Sequence, residues 1–305
     1  MQAKEVGTAG RNLMNSYDTM QRLVAAKLAT VSTNGHLDTF KYARRVMFDY
    51  LWDTNTALLD CRGHTYHAHT GELLVASPRK SFNYLENGWW KDVPLDTPVI
   101  AYVKRNGFML CVSEVNSDPI YSTTGSTKSD FVHMGTDMLG GTFGRIPEPQ
   151  ANCTDLYEIV HPDDPHIVDE PIGAHYLGSR CKQTGVFTPY GKPEDTYVGT
   201  LKGILAIAEV NTGEGMMVYD LHNDSERLAP AKIKTPYYVG KKKLMRLSKK
   251  NSATMYANPV KFAQGLPEMW KDVPELIVSI YSREFWNECM TEGIRRKLLE
   301  EMKGK

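Results

Sequence analysis

The chain has 305 residues, enough for one large domain or two, because single cores stop growing near ~250–300 residues. Its 36 Lys and Arg residues balance 36 Asp and Glu, with 41% apolar and 24% charged residues. That balance excludes a bulk-charge affinity for polyanions, so any such site must come from local clustering.

The five cysteines (Cys61, Cys111, Cys153, Cys181, Cys289) are scattered without a CxxC pair, which fits a reducing compartment and offers no zinc-ligand spacing. No run approaches ~18 apolar residues, and no cationic stretch precedes an apolar one at the N-terminus. Neither a membrane span nor a secretory signal is expected, and the protein is read as soluble and cytoplasmic.

In chain order, residues 11–30 place Leu13, Met14, Tyr17, Met20, Leu23, Val24 and Leu28 near helical spacing, predicting one amphipathic helix. From about residue 40 to 113, short β-rich runs take over: RVMFDYLW, HTYHAH, ELLVAS, VIAYV and FMLCV, divided by turn signals such as HTGE and RNG. STKSDFVHMGTDML reads as a helix with Ser129 as N-cap before Phe131, Val132 and Met134. Strands are expected at TDLYEIVH, GILAIAEV and GEGMMVYD, and residues 241–305 turn helical and strongly charged. The shift near 240–245 predicts a mixed α+β body with a small helical appendix.

The chemistry-bearing residues sit at strand ends. Lys104 closes an apolar run beside Asn106-Gly107, where glycine permits a tight turn or a close approach to phosphate. Glu158 lies inside DLYEIV, and Glu214-Gly215 heads EGMMVYD. Lys232 and Lys234 flank Ile233, so in a strand both amines share one face. Upstream, Arg62, Arg79 and Lys80 precede aromatic residues. Two acids able to hold Mg²⁺, a same-face lysine pair and a lysine beside a turn together point to a triphosphate site.

VKRNG, DLYEIV, GEGMMV and KIKTPYYV, in that order, resemble motifs I, III, IV and V of the covalent nucleotidyltransferases, the polynucleotide ligases and mRNA capping enzymes. The likeness is greatest to the phage RNA ligase 1 type, with further resemblance in LDCRG, KSFNYLEN, GSTKS and LGSRCKQTG, and it spans about residues 58–245. It implies an α+β nucleotidyltransferase (ATP-grasp-like ligase) domain of antiparallel sheets with flanking helices over residues 1–243. A small helical C-terminal domain would occupy 244–305.

The resemblance also implies an activity: ATP-dependent RNA ligation through a lysyl-AMP intermediate and an adenylylated RNA 5′ end. Lys104 would attack the α-phosphate of ATP, its amine made neutral by partial burial beside other cations. Lys232 and Lys234 would hold that phosphate, Glu158 would contact the nucleoside sugar, and Glu214 would help bind Mg²⁺, with Mn²⁺ able to substitute. Arg62 and Lys80 would touch phosphates, with Phe82 beside them, while Tyr102, Val103, Gly107 and Tyr238 would complete the nucleotide site. The implied partner is single-stranded RNA or tRNA with 5′-phosphate and 3′-hydroxyl ends, handled by a monomer in the cytoplasm of a phage host.

Some residues depart from that pattern. Asn106 stands where motif I commonly has aspartate, Phe108 replaces a small polar residue, and Thr124 stands where relatives often have lysine, with Lys128 nearby. A DNA ligase, a capping-type nucleotidyltransferase and a non-catalytic RNA-end-binding protein of the same fold remain alternatives. His64, His67 and His69 lack a fourth metal ligand, HPDDPH reads as a turn, and Trp89-Trp90 reads as packing. The run GKKKLMRLSKK over 240–250 is either a solvated helix face or a hold on RNA or triphosphate.

Overall fold

The computed structural model describes residues 16–143, 152–164, 166–221 and 230–303. Among these the strands are β1 (Ala29–Asn34), β2 (Leu37–Tyr42), β3 (Arg62–His67), β4 (Leu73–Val75), β5 (Pro98–Lys104), β6 (Phe108–Val115), β7 (Asp118–Ser122), β8 (Cys153–Val160), β9 (Gly173–Cys181), β10 (Phe187–Pro189), β11 (Thr196–Thr200), β12 (Gly215–Asp220) and β13 (Ala231–Lys234). The helices are α1 (Tyr17–Ala25), α2 (Arg44–Phe48), α3 (Asp130–Phe143), α4 (Leu201–Val210), α5 (Pro236–Met245), α6 (Lys249–Ala257), α7 (Pro259–Ala263), α8 (Val273–Ile280) and α9 (Glu292–Lys303). None of them is long and apolar enough to cross a membrane.

Two compact units divide the chain. The first takes residues 1–80, 109–157 and 175–190; the second takes 81–108, 158–174 and 191–305. In the first, β1-β2-β3-β4 form one antiparallel sheet. Tyr17 of α1 packs edge-on to Phe40 of β2, which meets Tyr66 of β3 in the same way. The second sheet runs β10-β9-β8-β6-β7, and Val75, Cys111 and Leu156 pack into one buried cluster.

The second unit is built on the sheet β11-β5-β12-β13, antiparallel throughout. Alternation does the sorting here. Val99, Ala101, Met216, Val218, Ala231 and Ile233 face a core shared with Leu201, Ile204 and Ala208 of α4. Helices α5 to α9 enclose a further core centred on the fully buried Trp270 and Trp286. The described residues of 244–305 are helical and belong to this unit.

Several expected elements change form. The first helix covers Tyr17–Ala25, with Ser16 Oγ accepting from Thr19 N–H, and ends before Lys27 at φ +58°; Leu13 and Met14 lie outside the described residues. The RVMFDYLW run is not a strand: it is α2 followed by a short 3₁₀ turn at Leu51–Thr54, broken by left-handed Tyr50. GILAIAEV is helix α4. Thr200 caps it by accepting from Gly203 N–H, and Leu201, Ile204 and Ala208 recur at helical spacing. α3 forms where expected, yet Ser129 Oγ is buried without a hydrogen-bond partner, so it does not act as the predicted cap.

Candidate functional site

Strand register assembles the site. Across the sheet, Gly215 of β12 lies opposite Lys104 of β5 on one side and Lys234 of β13 on the other. Two residues along, Met217 lies between Tyr102 and Lys232. With a side-chain period of two, Lys104, Lys234, Tyr102 and Lys232 all stand on the sheet face opposite the core. Gly215 is required in this row: its φ is +145°, and an added Cβ would stand 2.1 Å from the Ile233 carbonyl oxygen.

Glu214, immediately before that glycine, is the hub. Its side chain is only 5% exposed, and Lys104 Nζ lies 2.8 Å from Oε2 while Lys234 Nζ lies 3.5 Å from Oε1. Asn106 Nδ2 also donates to Oε2 at 3.2 Å. Lys234 stands 4.9 Å from the Tyr238 ring centre, and Lys242 stands 5.5 Å from it. Burial, then the Glu214 charge, push the Tyr238 hydroxyl well above its usual pKa, so it stays a donor. Thr235 fastens the parts together: its Oγ1 donates to the Gly213 carbonyl and caps α5 by accepting from Tyr238 N–H.

The turn after Lys104 is clamped by two buried carboxylates. Glu158 Oε1 accepts from Gly107 N–H at 3.0 Å, and Glu170 Oε1 accepts from Asn106 N–H at 3.2 Å. Arg105 binds the other Glu170 oxygen at 3.2 Å and Asp195 at 2.6 Å. Asn106 Oδ1 accepts from Ile167 N–H at 2.8 Å and Val168 N–H at 3.3 Å. An added Cβ at Gly107 would lie 2.1 Å from the Ile159 carbonyl oxygen, so the close approach excludes any side chain.

The structure thus brings together Lys104, Gly107, Glu158, Glu214, Lys234 and Tyr238, with Tyr102 and Lys232 one pleat away. Val103 alternates to the other face and lines a cavity of about 460 Å³. Five acids, among them Glu170, Asp195 and Glu300, line that cavity against Arg105 and Lys241, a charge balance that opposes a triphosphate. Phe82 is buried and packs on the Trp89 ring, and its carbonyl accepts from Lys232 N–H. Arg62 and Lys80 belong to the first unit, where Lys80 lies over Trp52.

Sequence reasoning left Arg105 and Glu170 out of the site and reached Lys242 only as one member of the cationic run 240–250. Arg105 and Glu170 carry no periodic signal, and Lys242 is masked by the cationic run around it. Of the histidines, His64 pairs with Ser77 Oγ, and His67 Nδ1 accepts from the N–H groups of His69 and Thr70. Residues 161–164 turn as expected, with His161 accepting from Asp163 and Asp164 N–H, while Pro165 lies outside the described residues. Trp90 is core and Trp89 packs beside it.

A divalent cation fits the donor set in one way. Among the described residues no group of three His, Cys, Asp or Glu residues could cage one. Mg²⁺, however, is ordinarily held by one or two carboxylates plus substrate phosphates and water. Glu214 supplies such a carboxylate.

A scan of protein-family models finds no match, and no curated protein sequence matches. Among solved structures, an archaeal ATP-dependent RNA ligase in its form 2 is similar at 14% identity and TM-score 0.48, over 92% of this chain and 74% of that one. Form 1 gives 13% and 0.48, over 96% and 81%. A putative ATP-dependent DNA ligase from Aquifex aeolicus gives 14% and 0.46, over 95% and 76%. With TM-scores below 0.5, these likenesses decide neither family nor activity.

Proposed function

We propose that the protein is an ATP-dependent RNA ligase working through a lysyl-AMP intermediate. One observation carries the reading: Lys104 and Lys234 stand in one strand row and share the buried Glu214 carboxylate, at the end of the strand leading into the Asn106-Gly107 turn. The ordered resemblance of motifs I, III, IV and V falls on these same residues, and the further resemblance in LDCRG, KSFNYLEN, GSTKS and LGSRCKQTG supports RNA as the polynucleotide.

In the first step Lys104, its amine protons given up to solvent, attacks the α-phosphorus of ATP through Nζ; the P–N bond forms as the P–O bond to the departing pyrophosphate breaks. Lys232 and Lys234 offset the charge that gathers on the α-phosphate oxygens. AMP then passes to an RNA 5′-phosphate oxygen, which frees the lysine and makes a 5′–5′ pyrophosphate linkage. Attack by an RNA 3′-hydroxyl on the former 5′-phosphorus closes the strand and releases AMP.

The turn carrying Lys104 is held rigidly by Glu158 and Glu170, which limits where the amine can point. At rest the amine is tied to Glu214. A divalent cation bound at Glu214 and the phosphates would supply the positive charge that releases Lys104 from that carboxylate. This differs from the expectation that neighbouring cations alone would activate the lysine.

Incubation with α-labelled ATP and Mg²⁺ should place alkali-stable, acid-labile label on the wild-type protein and none on Lys104→Ala. Absence of label across Mg²⁺, Mn²⁺ and a range of pH would refute the chemistry. Offering 5′-phosphorylated RNA and DNA ends to the labelled protein tests the choice of RNA; transfer only to DNA would overturn it.

A further inference from the structure

Helix α5 carries Lys241, Lys242 and Lys243 in succession, and the fold sends them to different places. Lys241 is buried against Glu300, and Lys243 donates to the Gly265 carbonyl at 2.8 Å. Lys242 falls one helical turn after Tyr238, on the same helix face. It joins Lys234 at the Tyr238 ring, 5.5 Å from the ring centre against 4.9 Å for Lys234. Among the described residues Lys242 has no ion-pair partner.

The charge there does not balance. Lys104 and Lys234 already share the Glu214 carboxylate, and Lys242 adds a third ammonium beside them. Burial, then the Lys234 charge, press the Lys242 ammonium below its ordinary pKa; Arg246 and Lys104 act in the same sense, and Glu214 opposes them. A partly desolvated excess of like charge is unfavourable unless an anion completes it. The anion must be extended, since Lys242 lies beyond the Lys104–Glu214 pair along the helix that follows β13.

We propose that Lys242, together with Lys234 at the Tyr238 ring, is a subsite for a polyphosphate chain. Resting on the ATP reading above, it takes the β- and γ-phosphates of the nucleotide and then the departing pyrophosphate. The distant end of the cationic run has no part in it. Lys249, for example, is exposed on α6.

Titration of the full-length protein with inorganic tripolyphosphate, followed by calorimetry, tests the subsite without any need for catalysis. Lys242→Ala and Lys242→Gln should each bind about tenfold more weakly, Lys242→Arg should recover most of the loss, and Lys249→Ala should match the wild type. The unliganded Tm of Lys242→Ala should change little, because relief of a repelled charge offsets the lost contact with the Tyr238 ring. Equal affinity in Lys242→Ala and wild type would overturn the proposal, as would an equal loss in Lys249→Ala, which marks a diffuse charge effect. A protein that binds tripolyphosphate through Lys242 but never labels at Lys104 keeps this subsite and loses the ligase chemistry.

Discussion

Each compact unit holds a buried carboxylate with two basic partners, and the two clusters behave as opposites. In the first unit Asp60 accepts from Arg180 Nη2 at 2.9 Å, with Arg79 Nε at 3.8 Å. In the second, Glu214 meets Lys104 and Lys234. The acids are equally buried, at 6% and 5% exposure, but Arg180 is 5% exposed while the lysines are 21% and 23% exposed. Arg180 also spends its other donors on the Ser77 and Gly185 carbonyls. Arg180 is enclosed with its donors placed, although Arg79 beside it is 36% exposed and its Nε has no hydrogen-bond partner; both lysines on Glu214 stay part-exposed, within reach of an anion.

Neutralising each acid in turn should separate these roles most sharply. Asp60→Asn leaves Arg180 charged and buried, so it should cost about 3–5 kcal/mol of stability. Glu214→Gln frees lysines that water can reach, so it should cost under about 1 kcal/mol of stability while slowing lysyl-AMP formation about 10²-fold or more. Denaturant midpoints and single-turnover labelling measure the two quantities. Similar stability losses in both variants would erase the distinction.

Acid should weaken the first cluster through His64. His64 is fully buried beside Asp60 and Arg180, and burial, then Arg180, hold its pKa down to about 3 against an ordinary 6.5. As pH falls below 6.5 the unfolded chain gains a proton that the folded chain refuses, so stability drops by up to about 1.4 kcal/mol per pH unit until about pH 3. The Asp60 carboxyl adds to this only further down: burial raises its pKa, but the Arg180 and Arg79 charges and the Arg180 hydrogen bond leave it below 3.8. Urea midpoints of wild type and His64→Gln at pH 7.5 and 5 should show the smaller drop in the variant. Equal drops would mean that His64 does not set the acid limit.

The finest test concerns Asn106. Its amide donates to Glu214 while its carbonyl oxygen accepts from the backbone at Ile167 and Val168, two duties an aspartate cannot combine. Asn106→Asp, though closer to the common motif, should slow adenylation about tenfold by setting a second negative charge against Glu214. An unchanged labelling rate would show that Glu214 needs no donor there.

Much of the site was legible because strand alternation is local. Lys232 and Lys234 share a face wherever a strand forms, and the Lys104-to-Gly107 turn announces itself through Asn106-Gly107. GILAIAEV misled because a short apolar run fits a buried strand as well as a helix, and the deciding Thr200 cap is a single side chain. Arg105 and Glu170 escaped for a different reason, and Lys242 was not singled out from its run. Their roles depend on partners supplied by other segments, as with Arg105 and Asp195, 90 residues apart.

The amino-acid sequence by itself determined which strands carry lysine at their ends, where glycine must allow a turn, and the order in which the candidate motifs arrive. Tertiary structure alone decided which charges meet. Register across β5, β12 and β13 placed Lys104 and Lys234 on either side of Gly215, and folding buried Asp60 with Arg180, 120 residues away. The physical reason is range: alternation and turn chemistry act over a few residues, whereas the balance of a buried charge depends on every group that folding brings within a few ångströms.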